Sequence, residues 1–148
     1  MNTERQEVLQ RACDFLGRRE HSRKELQQKL SRRCEDEALI EELLDKLADE
    51  GLQSDERFTE SFVHHRVNNG KGPLKIQQEL SQRGVDQNLI SIYLDSEDFD
   101  WLTLANEVRT KKYGNEAPAD YQKQALQSRF LYSRGFSSEH ISRLFRTD

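Results

Sequence analysis

Apolar residues recur along this chain at three- and four-residue spacing and almost never in strict alternation, the pattern of helices that bury one face. Leu9, Ala12, Cys13 and Leu16 share one such face, Leu26 and Leu30 a second, and Ile40, Leu43, Leu44 and Leu47 a third. Phe58 and Phe62, with His65 or Arg66 beside them, continue the series, as do Ile76 and Leu80. Later stripes are Leu89, Ile90, Tyr93 and Leu94; Trp101, Leu104, Ala105 and Val108; then Ile141, Leu144 and Phe145. Ser22-Arg23-Lys24-Glu25 has the capping-box pattern, and Asp36 and Asp86 each precede an apolar-periodic run as N-caps do. Gly51, Gly84, Gly114 and Gly135 each follow a helical run, where a left-handed cap suits glycine. Pro73 and Pro118 fall just inside helix starts, where a missing amide costs nothing. These marks predict helices near residues 4–18, 23–34, 37–50, 55–69, 73–83, 87–97, 99–113, 118–134 and 138–146.

The chain also repeats itself. A shift of fifty places Gln27-Gln28 on Gln77-Gln78, Leu30-Ser31 on Leu80-Ser81, Arg33 on Arg83, Asp36 on Asp86, Leu39-Ile40 on Leu89-Ile90 and Asp45 on Asp95. A further shift of fifty-one carries Leu80, Arg83-Gly84 and Ile90 onto Leu131, Arg134-Gly135 and Ile141. A fixed period of this size marks an array of supersecondary units that bury one another's apolar faces. The expected fold is all-α: three tandem three-helix repeats over residues 1–53, 54–98 and 99–148. They are expected to form an elongated, curved array with one long face open to a partner.

Composition narrows the function. Of 148 residues, 34% are hydrophobic and another 34% charged, too little apolar material for a thick core but enough for a stripe on each helix. No apolar run approaches the ~20 residues of a bilayer span, and Met1-Asn2-Thr3-Glu4-Arg5-Gln6-Glu7 is too polar to open a signal peptide. Cys13 and Cys34 have neither zinc nor redox spacing; they are expected as small buried side chains in a reducing cytoplasm. The net charge of −4 conceals blocks: residues 1–34 are +4, 35–60 are −9, 61–94 are +2, 95–100 are −4 and 101–148 are +3. A nucleic-acid binder is usually basic throughout. Alternating blocks suit a partner of both signs, such as a protein already coating DNA.

Catalytic groupings are absent from the pattern. His64-His65 are neighbours on a helix, so their side chains diverge, one expected half-buried and one solvated, with no metal site. His21 and His140 sit beside helix starts with no nucleophile partner. Glu41, Glu42, Asp45, Asp49 and Glu50 lie opposite a Leu-rich face, as a solvated surface or an acidic docking surface. Asn69-Gly70-Lys71-Gly72-Pro73 reads as a tight interhelical turn. Alternatively, its glycines and the following helix N-terminus receive a phosphate, aided by Lys71 and Lys75, or the turn belongs to a helix-turn-helix with Gln77 and Gln78 as base readers. It lacks the P-loop order. Basic clusters are the stronger candidates: Arg18-Arg19, Arg23-Lys24 and Arg32-Arg33 around the second helix, Arg66 on the fourth, and Arg109, Lys111 and Lys112 near Tyr113. Arg129, Arg134, Arg143 and Arg146 complete the set. Arginine beside an aromatic ring suits phosphate contact and stacking; scattered surface charge is the plain alternative.

Three stretches together resemble a known family. Arg19-Glu20-His21-Ser22-Arg23-Lys24-Glu25-Leu26 resembles the opening signature of RecX proteins. Asp55-Glu56-Arg57-Phe58, Arg66, Gly70-Lys71-Gly72-Pro73, Ile76, Glu79, Leu80 and Arg83-Gly84-Val85 resemble its central block. Phe130-Leu131-Tyr132-Ser133-Arg134-Gly135-Phe136 and Ile141 are similar to its C-terminal repeat. The resemblance implies three three-helix repeats and a non-enzymatic, cofactor-free regulator, monomeric and cytoplasmic. It further implies binding to the RecA filament on single-stranded DNA, inhibition of ATP hydrolysis, strand exchange and coprotease activity, and weaker direct DNA binding. Recombination, DNA repair and the SOS response are the processes implied. The chain departs from the family at Cys34, which stands where Gly84 and Gly135 stand in the later repeats, so a left-handed cap is not expected there.

Overall fold

In the computed structural model, described over residues 3–146, the described chain is all α-helix with no strand. The helices are α1 (Thr3–Arg18), α2 (Arg23–Ser31), α3 (Glu37–Asp49), α4 (Asp55–Asn68), α5 (Pro73–Gln82), α6 (Gln87–Leu94), α7 (Trp101–Tyr113), α8 (Tyr121–Ser133) and α9 (Ser138–Leu144). Met1, Asn2, Thr147 and Asp148, at the outer ends of the first and third expected repeats, lie outside the described residues. The largest departures from expectation are at ends. Helix α6 stops at Leu94, and α8 begins at Tyr121 because Asp120, accepting from the Lys123 amide, caps it; Pro118 lies before the helix rather than inside it.

The chain divides into two compact units, one running to Ser61 and including Leu80–Leu89, the other made of Phe62–Glu79 and the stretch from Ile90. In the first unit, Val8 and Ala12 of α1, Leu26 and Leu30 of α2, Cys34, and Leu39, Ile40, Leu43, Leu44 and Leu47 of α3 form one buried cluster. Leu9, Phe15 and Leu16 pack against it half-buried. The face of α1 is thus rotated by one position from the expected one. Cys13 is exposed rather than buried, and Cys34 is buried with its thiol donating to Glu4. In the second unit the fully buried side chains include Ile76, Leu131 and Phe136.

A pair of equivalent joints, one in each unit, follows from the repeat. Helix α5 ends at Gly84 with φ +79, and the Gly84 and Val85 amides donate to the Ser81 and Leu80 carbonyls. Helix α8 ends the same way at Gly135 with φ +102, where the Gly135 and Phe136 amides reach Tyr132 and Leu131. This Schellman closure turns the preceding carbonyl outward, and the start of an earlier helix uses it. Ser22 Oγ donates to the Arg83 carbonyl at 2.8 Å while also accepting from the Glu25 amide in a complete capping box. In the second unit the Gly72 amide donates to the Arg134 carbonyl (2.8 Å) and the Leu74 amide to the Gly135 carbonyl (2.9 Å). Backbones this close leave no room for side chains. A Cβ on Gly72 would lie 2.5 Å from the Gly135 carbonyl carbon and one on Gly84 2.8 Å from Lys24 Cβ, while one on Gly135 would collide with Lys75 Cβ. Cys34 has no positive φ, as expected of the departure there.

His21 is a buried polar element of the first unit. Its Nδ1 lies 3.1 Å from the Arg19 carbonyl, which assigns the ring proton to Nδ1, and its Nε2 accepts from Lys29 Nζ at 2.7 Å. Gln53, also buried, donates to the His21 carbonyl. Burial, and the charges of Arg19 and Lys29 after it, hold the imidazole pKa below its ordinary value; the bond to Arg19 opposes this.

Two outcomes follow. Gly72→Ala, which meets backbone atoms, is expected to cost more than about 3 kcal/mol. Gly51→Ala, at φ +74 in open space, costs about 1 kcal/mol of left-handed strain, so urea midpoints should rank the two. His21 stays neutral in the fold while the unfolded ring protonates near its ordinary value of 6.5. Its contribution is therefore complete above that pH and declines as pH falls towards the lowered folded value. Urea midpoints of wild type against His21→Gln, taken between pH 7.5 and 5, should converge on acidification.

Candidate anion-binding surface

The second joint fixes the geometry of a basic cleft. By seating α5 on the α8–α9 turn it brings the α4–α5 turn beside the last turns of α7 and α8. The space between them is a cleft of about 590 Å³. Lys71 reaches it from the turn, Lys111 and Lys112 from α7 and Arg134 from the end of α8. Three basic clusters far apart in sequence thus line one opening.

Phe130 is the post on which the cations are arranged. Lys112 Nζ lies 4.1 Å from its ring centroid and Arg134 Cζ 5.2 Å, with Tyr113 meeting it edge-on at 5.7 Å. The ring quadrupole attracts both cations without neutralising either. Among the described residues Lys71, Lys75, Lys111, Lys112 and Arg134 form no ion pair. Burial first, then the fields of Arg134, Lys75 and Arg66, push the Lys71 pKa below its ordinary value, with Glu79 opposing. Glu107 is the one carboxylate in the lining, and cations that outnumber it and form no ion pair gain from an anion that enters.

Other candidates are held inside the fold. Arg66 makes a two-pronged pair with Glu79 at 3.0 and 2.8 Å, both half-buried. Arg109 is buried and donates to Asn106, Gln127 and the Glu116 carbonyl. Arg19 pairs with Glu25, Arg23 with Glu41 and Asp45, Arg5 with Glu42 and Lys46 with Glu50, so four members of the acidic α3 face are engaged. The Lys24 stem packs on Gly84. Arg18, Arg32 and Arg33 are exposed beside a separate cleft of α1 and α2. Arg129 borders an apolar groove of α8 and α9; the field of Arg143 adds to the hydrogen bonds that Thr103 donates to the α7 cap Asp100, and Arg146 is exposed. The α5 N-terminus is not open to phosphate: its Gly72 and Leu74 amides are used by the joint. His64 and His65 are both exposed rather than divided, His64 lying on Phe99 and His65 beside Asn69. No group of three metal-ligating side chains occurs among the described residues, and no helix there is long and apolar enough to cross a membrane.

Sequence reasoning missed Phe130 as the organiser of Lys112 and Arg134. The signal was its position four residues before Arg134, one helical turn away. Replacing Arg134 with glutamine should raise the Lys71 pKa towards 10.5, as read from the pH titration of the lysine ε-carbon resonance.

Comparison with known proteins places this arrangement. Residues 9–47, 54–94 and 98–145 match the patterns described as the first, second and third three-helix domains of RecX. A regulatory protein RecX of Pseudomonas entomophila is 46% identical over 137 residues, 93% of this chain and 88% of that one. One from Halorhodospira halophila is 43% identical over 134 residues, 90% and 83% of the two chains. The crystal structure of RecX from Lactobacillus salivarius superposes with a TM-score of 0.78 at 26% identity, covering 95% of this chain and 94% of that one.

Proposed function

This chain belongs to the RecX family of regulatory proteins, and from that premise we propose that it binds the RecA nucleoprotein filament and restrains it. The reading is carried by the α7/α8 cleft: clustered cations, unpaired and pre-positioned, in a chain whose blocks at 35–60 and 95–100 are strongly acidic. Lys71, Lys75, Lys111, Lys112 and Arg134 meet phosphate of the single-stranded DNA inside the filament or acidic side chains of its protein coat. Arg18, Arg32, Arg33, Arg129, Arg143 and Arg146 extend that contact, while Arg66 and Arg109 position the elements that carry it. The three-helix units, residues 1–53, 54–98 and 99–148, act as one monomeric chain in the cytoplasm without cofactor or catalysis.

Differential contact is the mechanism. A ligand shifts an equilibrium only as far as its affinities for the two states differ. A chain that binds a filament form slow in hydrolysis and exchange lowers both activities, and the coprotease activity that depends on the same form. Direct helix-turn-helix reading of duplex DNA is weaker as an account. The N-terminal end of a recognition helix normally meets the bases, and that end of α5 is covered by the Arg134–Gly135 turn.

Adding the chain below stoichiometry to RecA on single-stranded DNA should inhibit ATP hydrolysis and strand exchange. Substituting Lys71, Lys112 and Arg134 together with glutamine should weaken inhibition by roughly tenfold or more, since each cation paired with a phosphate or carboxylate contributes about 1 kcal/mol. Hydrolysis unchanged across a wide titration of the wild-type chain would refute the proposal.

A further inference from the structure

The first unit has its own basic cleft, between α1 and the end of α2, of about 350 Å³. Arg11 and Arg18 line it from α1, two helical turns or about 10 Å apart, and Lys29, Arg32 and Arg33 face them. Asp14 is the one carboxylate in the lining, and it accepts from Gln10. None of the five cations forms an ion pair among the described residues. Arg18 ends α1, and Lys29, Arg32 and Arg33 lie at or just beyond the last turn of α2, where helix carbonyls favour cations; that accounts for their sign but not for Arg11, nor for the fixed position of Lys29.

Lys29 decides the reading. A surface lysine normally extends into water, yet this ammonium is held at 2.7 Å by His21 Nε2 and lies 4.9 Å from the centroid of the Phe15 ring. Both partners are uncharged, so they fix its position and leave its charge uncompensated. Burial and the charges of Arg19, Arg32 and Arg18 lower its pKa, against the pull of Glu25. Fixed in advance, such a cation loses little freedom when an anion arrives. Four guanidinium groups around it provide forked donors matched to tetrahedral oxyanions.

We propose that the α1/α2 cleft is a binding site for adjacent phosphate groups, free as an oligophosphate or joined in a nucleic-acid backbone. Arg11 and Arg18 hold successive phosphates along α1, and Lys29 seats one at the base. The proposal deepens the filament reading and rests on it for Arg18, Arg32 and Arg33, but its test needs nothing except the chain itself.

The test titrates sodium tripolyphosphate, and separately a five-residue oligothymidylate, into the full chain at low salt. Lys71→Gln, Lys112→Gln and Arg134→Gln are present throughout to weaken the α7/α8 cleft. Binding is read by calorimetry and by the His21 imidazole resonances, which should shift as Lys29 takes a new partner. Adding Arg18→Gln and Arg32→Gln should weaken binding at least tenfold with helicity unchanged, while Lys123→Gln, an exposed cation on α8, should not. Binding of tripolyphosphate alone assigns the site to free phosphates, and of the oligonucleotide alone to a backbone; either supports the proposal, as does binding of both. Failure of both to bind, binding indifferent to Arg18 and Arg32, or equal affinity for a short polyglutamate would overturn it.

Discussion

A helix start resting on the glycine turn of a later helix is the contact on which this fold depends. The turn residue must have positive φ to close the helix and must lack a Cβ to let the next backbone approach. Gly84 and Gly135 meet both demands. The approaching side differs between the joints. Ser22 uses its hydroxyl, which also caps α2, whereas Gly72 and Leu74 use bare amides. Each hydrogen bond contributes only about 1 kcal/mol net, but an approach this close tolerates no substitution. The joint therefore sets geometry more strictly than it adds stability.

The same contact explains which cations remain available. Arg134 offers its carbonyl to Gly72 and its guanidinium to the Phe130 ring, so one residue serves the joint and the cleft. Lys75 packs its stem on Gly135 and adds its charge to the field around Lys71. Arg66 and Arg109, neutralised or buried, hold α4 and α7 in the arrangement that exposes the others. The cationic surface is thus divided between side chains that position and side chains left without a counter-charge.

The first repeat shows what happens when the glycine is missing. Cys34 replaces it, takes no left-handed conformation, and is covered by Glu4 of α1. Around it α1 and α2 build the second basic cleft, where Lys29 is steadied by His21 and Phe15. The equivalent of His21 under the fifty-residue shift is Lys71, a free cation of the other cleft. One repeat position therefore serves as a buried support in one unit and as a charged lining residue in the next.

The sequence by itself determined the helices, their caps, the fifty-residue period and the glycines that close the turns, because these rest on interactions within a few residues of chain. It also yielded the family, through motifs whose residues prove to be joint residues: Ser22, Gly72, Gly84, Arg134 and Gly135. It did not determine the rotation of α1 that buries Val8 and exposes Cys13, which depends on what α2 and α3 present. Nor did it separate free arginines from paired ones. Arg66 and Arg134 look alike in sequence, yet one lies against Glu79, thirteen residues away, and the other against Phe130. Charge compensation falls off over a few ångströms, so it is decided by distances in space that only the packed chain sets.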